Sequence, residues 1–287
     1  MSAPSIIRSI QGACTKGLKI TVAHYNIHSF NLSMQLPWFY EFLQSAEITH
    51  CDGMGILKAV RSMGLDLPLE YRVSYSVLMP KLLKHCQENN LSLFLLGTTP
   101  EHLGKAIAAV QKDYPTLRVD GHHGFFGMDN PEENGAVIGK INQFKPNVLV
   151  VGMGMPRQER WIYQNRVHLD VNVIMPGGAI IDRLAGHVPD CPPLIANMGL
   201  EWAYRLTQEP GRLGARYLFG NPAFAFHIAL AKTLSTSLEV QIMQPIEQFK
   251  REVSSTSADW YRQVNLASRG GEALIQASSP NSNQALV

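Results

Sequence analysis

Short apolar runs that end in glycine, each followed by a capped helix start, constrain the fold of this chain more than any other feature. Leu91–Gly97 reads LSLFLLG, Pro146–Gly152 reads PNVLVVG and Asp170–Gly178 reads DVNVIMPGG. Runs this short and this uniformly apolar read as strands buried on both faces. Helix starts follow them. Thr98 or Thr99 can cap, Pro100 suits the first helical turn, and Glu101 suits the positive helix end. Asn130-Pro131-Glu132-Glu133 opens a second helix, Pro156 starts another that runs through Trp161, and a short one follows Gly178. Repeated strand–helix units from about Leu18 predict an α/β fold with a mainly parallel sheet covered on both faces. Ligands of such sheets sit beyond the carboxyl ends of the strands.

The pattern changes after about Pro192. Leu200–Thr207 reads as a helix, Pro210-Gly211 breaks it, and a second helix follows. The expected organisation is a strand–helix core over residues 1–193, a C-terminal helical appendage over 194–245, and a Ser-, Gln- and Asn-rich tail over 246–287 that reads as disordered. The 287 residues suffice for one large or two small domains, and 45% hydrophobic against 17% charged residues leaves material for a sizeable core. A formal net charge of +2 makes no general case for nucleic acid, so any basic patch must be local. Cys14, Cys51, Cys86 and Cys191 are far apart and form no CxxC pair. That argues against zinc or a disulfide framework and for a reducing compartment. The N-terminus lacks the apolar core of a secretory signal, and no stretch reaches the ~18 apolar residues of a spanning helix. The expectation is a cytoplasmic protein, soluble or resting on a membrane.

Four loops fall at expected strand ends. Cys51-Asp52-Gly53-Met54-Gly55 follows the strand-like EITH. Asp52 there is either an ordinary Asp-Gly turn residue or a carboxylate turned toward the crevice. Gly152-Met153-Gly154-Met155-Pro156-Arg157-Gln158-Glu159 offers glycines that let backbone approach a ligand, then a helix start whose free N–H groups suit phosphate. It is not a dinucleotide fingerprint, since Arg157 replaces the third glycine, and it lacks the ending of a P-loop. Gln158 and Glu159 are either site residues or helix-start polarity. Pro176-Gly177-Gly178, with Asp182 one turn later, is a third loop, and Gly97-Thr98-Thr99, a nucleotide binder or a cap, is the fourth. His24 and His28 fall on a polar strand or loop. His122 and His123 are adjacent, so on one strand they face opposite ways and make a poor metal site. No Asp-x-Asp is present to hold a divalent cation on a sugar nucleotide. In the C-terminal helices Arg212 and Arg216 share a face. They are either a solvated basic face or a clamp for a diphosphate. The apolar patch Ala223–Ala231 beside them suits an interfacial helix or a partner subunit.

In order and spacing, CDGMGI, PNVLVVGMGMPRQERW, PGGAIIDRLAG and GLEWAYRLTQEPGRLGARYL resemble the WecG/TagA/CpsF glycosyltransferase family from about Leu18 to Lys232. The resemblance implies a Rossmann-like fold and an inverting, metal-independent transfer of a hexose or N-acetylhexosamine, of N-acetylmannosamine type, from UDP to a polyprenyl-diphosphate-linked sugar in cell-surface polysaccharide synthesis. It implies Asp52 as the catalytic aspartate, Gln158 as the active-site glutamine, and Arg72 as a substrate-binding arginine. Asn26 falls on the asparagine of the early strand, and Arg205, Arg212 and Arg216 on arginines that close over the site near the membrane. With these go His24 and the loop residues Gly97, Gly152, Gly154, Glu159, Gly177 and Gly178 as substrate-binding candidates. The chain departs from the family pattern in several places. His24 replaces a threonine. Arg72-Val73-Ser74-Tyr75-Ser76-Val77 loses the glycine and aspartate of RVxGxD. Phe125 replaces an aromatic hydroxyl, and Asp190-Cys191-Pro192 stands where RAP is usual.

The resulting expectation is a peripheral enzyme at the inner face of the plasma membrane. Its expected partners are a UDP-sugar, a lipid-linked acceptor and the membrane surface. Self-association into a homo-oligomer is allowed, and no nucleic acid, cofactor or metal is expected. Two other classes compete. One is a sugar-nucleotide-binding or scaffolding protein of the same pathway that has lost catalysis, motivated by the altered Arg72–Val77 segment. The other is a nicotinamide-dependent oxidoreductase, which the missing third glycine disfavours.

Overall fold

A computed structural model describes residues 1–237. By its contacts the chain divides into two compact units, Met1–Ile228 and Ala229–Val287, and only residues 229–237 of the second are described. The expected tail over 246–287, and the end of the expected appendage beyond 237, lie outside the described residues.

The first unit opens with α1 (Ala3–Lys16), β1 (Ile20–Tyr25), α2 (Ile27–Gln35), α3 (Pro37–Ser45), β2 (Ile48–Cys51), α4 (Met54–Ser62) and α5 (Tyr75–Glu88). It continues through β3 (Leu93–Gly97), α6 (Pro100–Asp113), β4 (Val119–His122), α7 (Pro131–Phe144), β5 (Val148–Gly152), α8 (Arg157–Asn165), β6 (Val173–Pro176) and α9 (Ile180–Leu184). Then come α10 (Pro193–Asn197), α11 (Glu201–Gln208) and α12 (Pro210–Ser237), the last of which runs on into the second unit. The strands form one six-stranded sheet in the order β2-β1-β6-β5-β3-β4, and every pairing is parallel. This is the expected Rossmann-like α/β fold.

Period-two alternation along fully apolar strands explains why both faces are covered. Leu93, Leu95, Val148, Val150, Val173 and Met175 join one core with α1, α5, α6 and α9. Phe94, Leu96, Leu149, Val151 and Ile174 join the other with α3, α7 and α8. A buried Val, Leu or Ile contributes about 1.5–3 kcal/mol, so two such cores outweigh local propensity. Helix starts follow the expected grammar. Thr99 Oγ1 accepts from the His102 N–H at 3.2 Å, and Asn130 Oδ1 accepts from Glu132 N at 3.0 Å. Each cap stabilises its helix by about 1 kcal/mol.

Residues 194–228 share the compact unit with the sheet. Phe224 of α12 packs edge-on against Phe30 of α2, with ring centroids 5.0 Å apart, and is buried with Ile56 and Ala59 of α4. Asn31 Nδ2 donates to Gly220 O at 2.8 Å. These contacts bring α11 and the first part of α12 over the carboxyl ends of β1 and β2.

The strand premise used for the paired histidines does not apply to both of them, while among the described residues they join no group of three or more that could hold a metal. β4 ends at His122, so strand alternation does not govern His123, and the two rings lie 4.3 Å apart at 36°. His24 is a buried strand residue on β1, whereas His28 belongs to α2.

Candidate active site

The carboxyl ends of β1, β2, β3, β5 and β6 open into one cleft of about 690 Å³. Four of the sequence candidates that line it from these strand ends are His24, Asn26, Asp52 and Gln158, joined by Gly152, Gly154, Gly177 and Gly178. Arg205 and Arg216 reach it from α11 and α12.

Asp52 follows β2 directly. Its N–H donates to Tyr25 O at 2.7 Å, tying the β2 end to β1. Gly53 then adopts φ +95°, a conformation that favours glycine, and α4 starts one residue later. The carboxylate therefore stands at a helix N-terminus, about three-quarters buried. Asn26 Nδ2 lies 3.5 Å from Asp52 Oδ2, while Asn26 Oδ1 caps α2 by accepting from Ser29 N at 2.9 Å. The cap fixes the amide so that its donor end faces the carboxylate. His24 Nε2 is 3.9 Å from the same oxygen. The tight Asp-Gly turn and the carboxylate facing the crevice, alternatives at the level of sequence, coexist in one residue.

Gln158 and Glu159 divide their work. Gln158 Oε1 accepts from the Gly178 N–H at 2.9 Å, and its Nε2 donates to Glu159 Oε1 at 2.7 Å. Gln158 thus links the β5 loop to the Gly177-Gly178 turn. Glu159 is 1% exposed and is not part of the cleft wall. Burial raises its carboxyl to about 7, against the opposing pull of the Gln158 hydrogen bond, its own backbone N–H and the Arg216 charge. Glu159 supports Gln158 from below.

The candidates Arg72 and Gly97 lie off the cleft wall, and Arg157, which lines it, carries a second role. Arg72 lines a smaller adjoining pocket of about 100 Å³ that Asn26, Asp52, Arg205 and Arg216 also border, and its Nη1 donates to Ala196 O at 2.8 Å. Gly97 is absent from the cleft wall, and a Cβ there would meet Gly152 O at 2.1 Å. Its missing side chain serves strand-to-strand approach. Arg157 lines the cleft but also ties down the neighbouring loop, donating to Gly124 O at 3.0 Å and Phe126 O at 3.2 Å. Arg212 belongs to α12, and its side chain lies outside the described residues.

The cleft also gathers Thr98 and Asp182, which the strand-end loops already carried, with His102, His187 and Glu201, which the sequence did not single out. Asp182 Oδ1 accepts from Thr98 Oγ1 and lies 3.0 Å from His102 Nδ1, and the His102 and His187 rings are 4.1 Å apart. Thr98 follows β3 at φ +53°, which turns the chain into the cleft. Glu201 joins Arg205 on α11, and burial first, then the Asp52 charge, raises its carboxyl above the ordinary range. Among the described residues no group of three or more His, Cys, Asp or Glu side chains is arranged to hold a metal ion. Chemically, the cleft is lined by a carboxylate, by guanidinium groups, and by helix starts and glycine backbone. That set suits an anionic, polyhydroxylated ligand and a proton transfer.

A sequence model of the glycosyl transferase WecG/TagA/CpsF family matches residues 1–237. The chain is 33% identical over 218 residues to proteins from Staphylococcus aureus strains MW2, NCTC 8325 / PS 47 and COL. Each alignment covers 76% of this chain and 82% of the relative, and each relative is described as an N-acetylglucosaminyldiphosphoundecaprenol N-acetyl-beta-D-mannosaminyltransferase.

Proposed function

This chain belongs to the WecG/TagA/CpsF family of glycosyl transferases, and we propose that it transfers an N-acetylmannosamine-type unit from a UDP-sugar to a polyprenyl-diphosphate-linked N-acetylglucosamine. The observation that carries this reading is the joint presence of Asp52, Arg205 and Arg216 on one cleft. In the proposed single displacement the acceptor hydroxyl gives its proton to Asp52 as its oxygen bonds to the anomeric carbon. The bond from that carbon to the UDP oxygen breaks on the opposite face, and its electron pair leaves with the diphosphate. A positioned base contributes about a hundred- to ten-thousandfold. Arg205 and Arg216 take up the charge that grows on the leaving group, with the N-terminal N–H groups of α8 as further donors. Arg212 is proposed to join them. With those cations in place the displacement needs neither a metal nor a cofactor.

Residues 194–228 carry two roles in this reading. α11 and the first part of α12 supply cations to the site and close over bound substrate, which excludes water from the donor. Their outer surface exposes Trp202, Leu218, Phe219 and Phe226. Exposed aromatics beside arginines suit the inner face of the plasma membrane, where a polyprenyl acceptor lies. No helix among the described residues is long and apolar enough to cross a membrane, so the proposed association is peripheral. The test is UDP release by the purified full chain, with UDP-N-acetylmannosamine as donor and a short-chain polyprenyl-diphosphate N-acetylglucosamine as acceptor. Acceptor-dependent UDP release supports the reading. Tight UDP-sugar binding without release would favour a binding or scaffolding protein instead.

A further inference from the structure

Behind Asp52 lies a buried polar group of three rings that the displacement above does not use. His24 on β1 and His50 on β2 are register partners, so their side chains share the sheet face that carries α5. Tyr75, the first residue of α5, closes the triangle. Ring centroids are 5.2 Å apart for His24 and Tyr75, 6.1 Å for His50 and Tyr75, and 6.0 Å for the two histidines. All three residues are more than nine-tenths buried. By hydrogen-bond geometry His24 Nδ1, both His50 ring nitrogens and the Tyr75 hydroxyl have no partner among the described residues, although the Cys51 backbone lies near enough to His50 to favour its charged form. Buried polar atoms left unsatisfied are costly, so an arrangement in which they satisfy one another is favoured. Their ring centroids lie within about 6 Å of one another, so each ring has another as a polar neighbour on this face.

On the resemblance drawn from the sequence, two of these residues stand where the family pattern has others, His24 for a threonine and Tyr75 for the glycine of RVxGxD. They lie 51 positions apart in the sequence and edge to face in the structure. A tyrosine side chain introduced where the pattern has none thus lands on the one strand residue whose other ring nitrogen faces Asp52.

We propose that His24 is a positioning residue for Asp52, held in one tautomer by a directed chain in which His50 N–H donates to the Tyr75 oxygen, the Tyr75 hydroxyl donates to His24 Nδ1, and His24 Nε2–H donates to Asp52 Oδ2. This rests on the reading of Asp52 as the base. The Nε2 to Oδ2 separation of 3.9 Å is longer than a hydrogen bond and shortens as substrate fills the cleft. The chain fixes the carboxylate and leaves its second oxygen for the acceptor hydroxyl. His24 moves no proton; the proton gained by Asp52 leaves through the cleft. The chain requires a neutral His24. Burial favours that form most strongly, and Arg216 of α12 and Arg205 of α11 add to it, while Asp52 opposes them. His50 is held neutral to about 4, by burial first and then by His24.

The sign of the pH effect follows. A hydroxyl that donates to Nδ1 stabilises neutral His24, so its loss lets His24 protonate at higher pH. An imidazolium beside Asp52 weakens the base. Tyr75→Phe keeps the ring packing and should lower kcat about tenfold, the worth of one hydrogen bond in the transition state. It should leave the donor KM within about twofold and move the acid limb of kcat to higher pH. His24→Ala should lower kcat at least as far, and adding Tyr75→Phe to it should cost nothing more, because the hydroxyl then has no imidazole to hold. Melting temperatures of the full-length variants report folding separately. Asp52→Asn in the same assay separates the two levels of the argument. Full turnover by Asp52→Asn would remove the base and this inference with it. Lost turnover in Asp52→Asn, with an unchanged kcat profile in Tyr75→Phe or simple additivity in the double variant, would overturn the chain alone.

Discussion

Replacing Glu159 with glutamine keeps the shape of the side chain and removes only its ability to ionise. The carboxyl titrates at about 7 in the folded protein because it is buried beneath Gln158, against an ordinary value of 4.5. Between those values the folded state holds a proton that the unfolded chain has lost. Stability therefore falls as pH rises through this window and levels off above about 7. At about 1.4 kcal/mol for each tenfold change, the loss is about 3 kcal/mol. Glu159→Gln should abolish it. Urea unfolding of both proteins between pH 4.5 and 8 reads the difference directly. The two should be similar in stability near pH 4.5, with the variant gaining about 3 kcal/mol on the wild type by pH 8. Parallel stability curves across the range would refute the argument, since they would mean that Glu159 is solvated or already paired with a charge when folded.

Two further outcomes concern catalysis. Arg205→Ala and Arg216→Ala should each lower kcat/KM by roughly ten- to a hundredfold, the range for losing one charge-assisted hydrogen bond to the diphosphate, in UDP-release kinetics at fixed acceptor. Turnover should survive excess EDTA, since guanidinium groups rather than a divalent cation are proposed to hold the diphosphate; loss on chelation and recovery with magnesium or manganese would contradict this.

Much of the fold was legible because its signals are local. LSLFLLG and PNVLVVG carry their strand character in consecutive residues, and Thr99 and Asn130 announce their helices within one turn. Asp52, Gln158 and the glycine loops could be placed at strand ends for the same reason. What the sequence hid depends on long-range juxtaposition. Asp182 meets His102 across 80 positions, and only the order β6-β5-β3 brings α9 and α6 together. Arg72 follows the β2 edge but turns to Ala196 O, a contact no local pattern encodes. Gln158 and Glu159 read alike as helix-start polarity and both are buried, yet only Gln158 borders the cleft. A position in the first helical turn does not say which way that turn faces. The N-terminal helix α1 buries Ile6, Ile10 and Ala13 on one stripe, a helical spacing that a search for signal peptides passes over.

The most direct test of the central claim is the rate of glycosyl transfer by Asp52→Asn. The substitution keeps size and the Gly53 turn while removing the proton acceptor. The account predicts unchanged melting and UDP-sugar binding, with turnover lowered by about a hundredfold or more. A pure, folded Asp52→Asn protein that transfers sugar at the wild-type rate would contradict it.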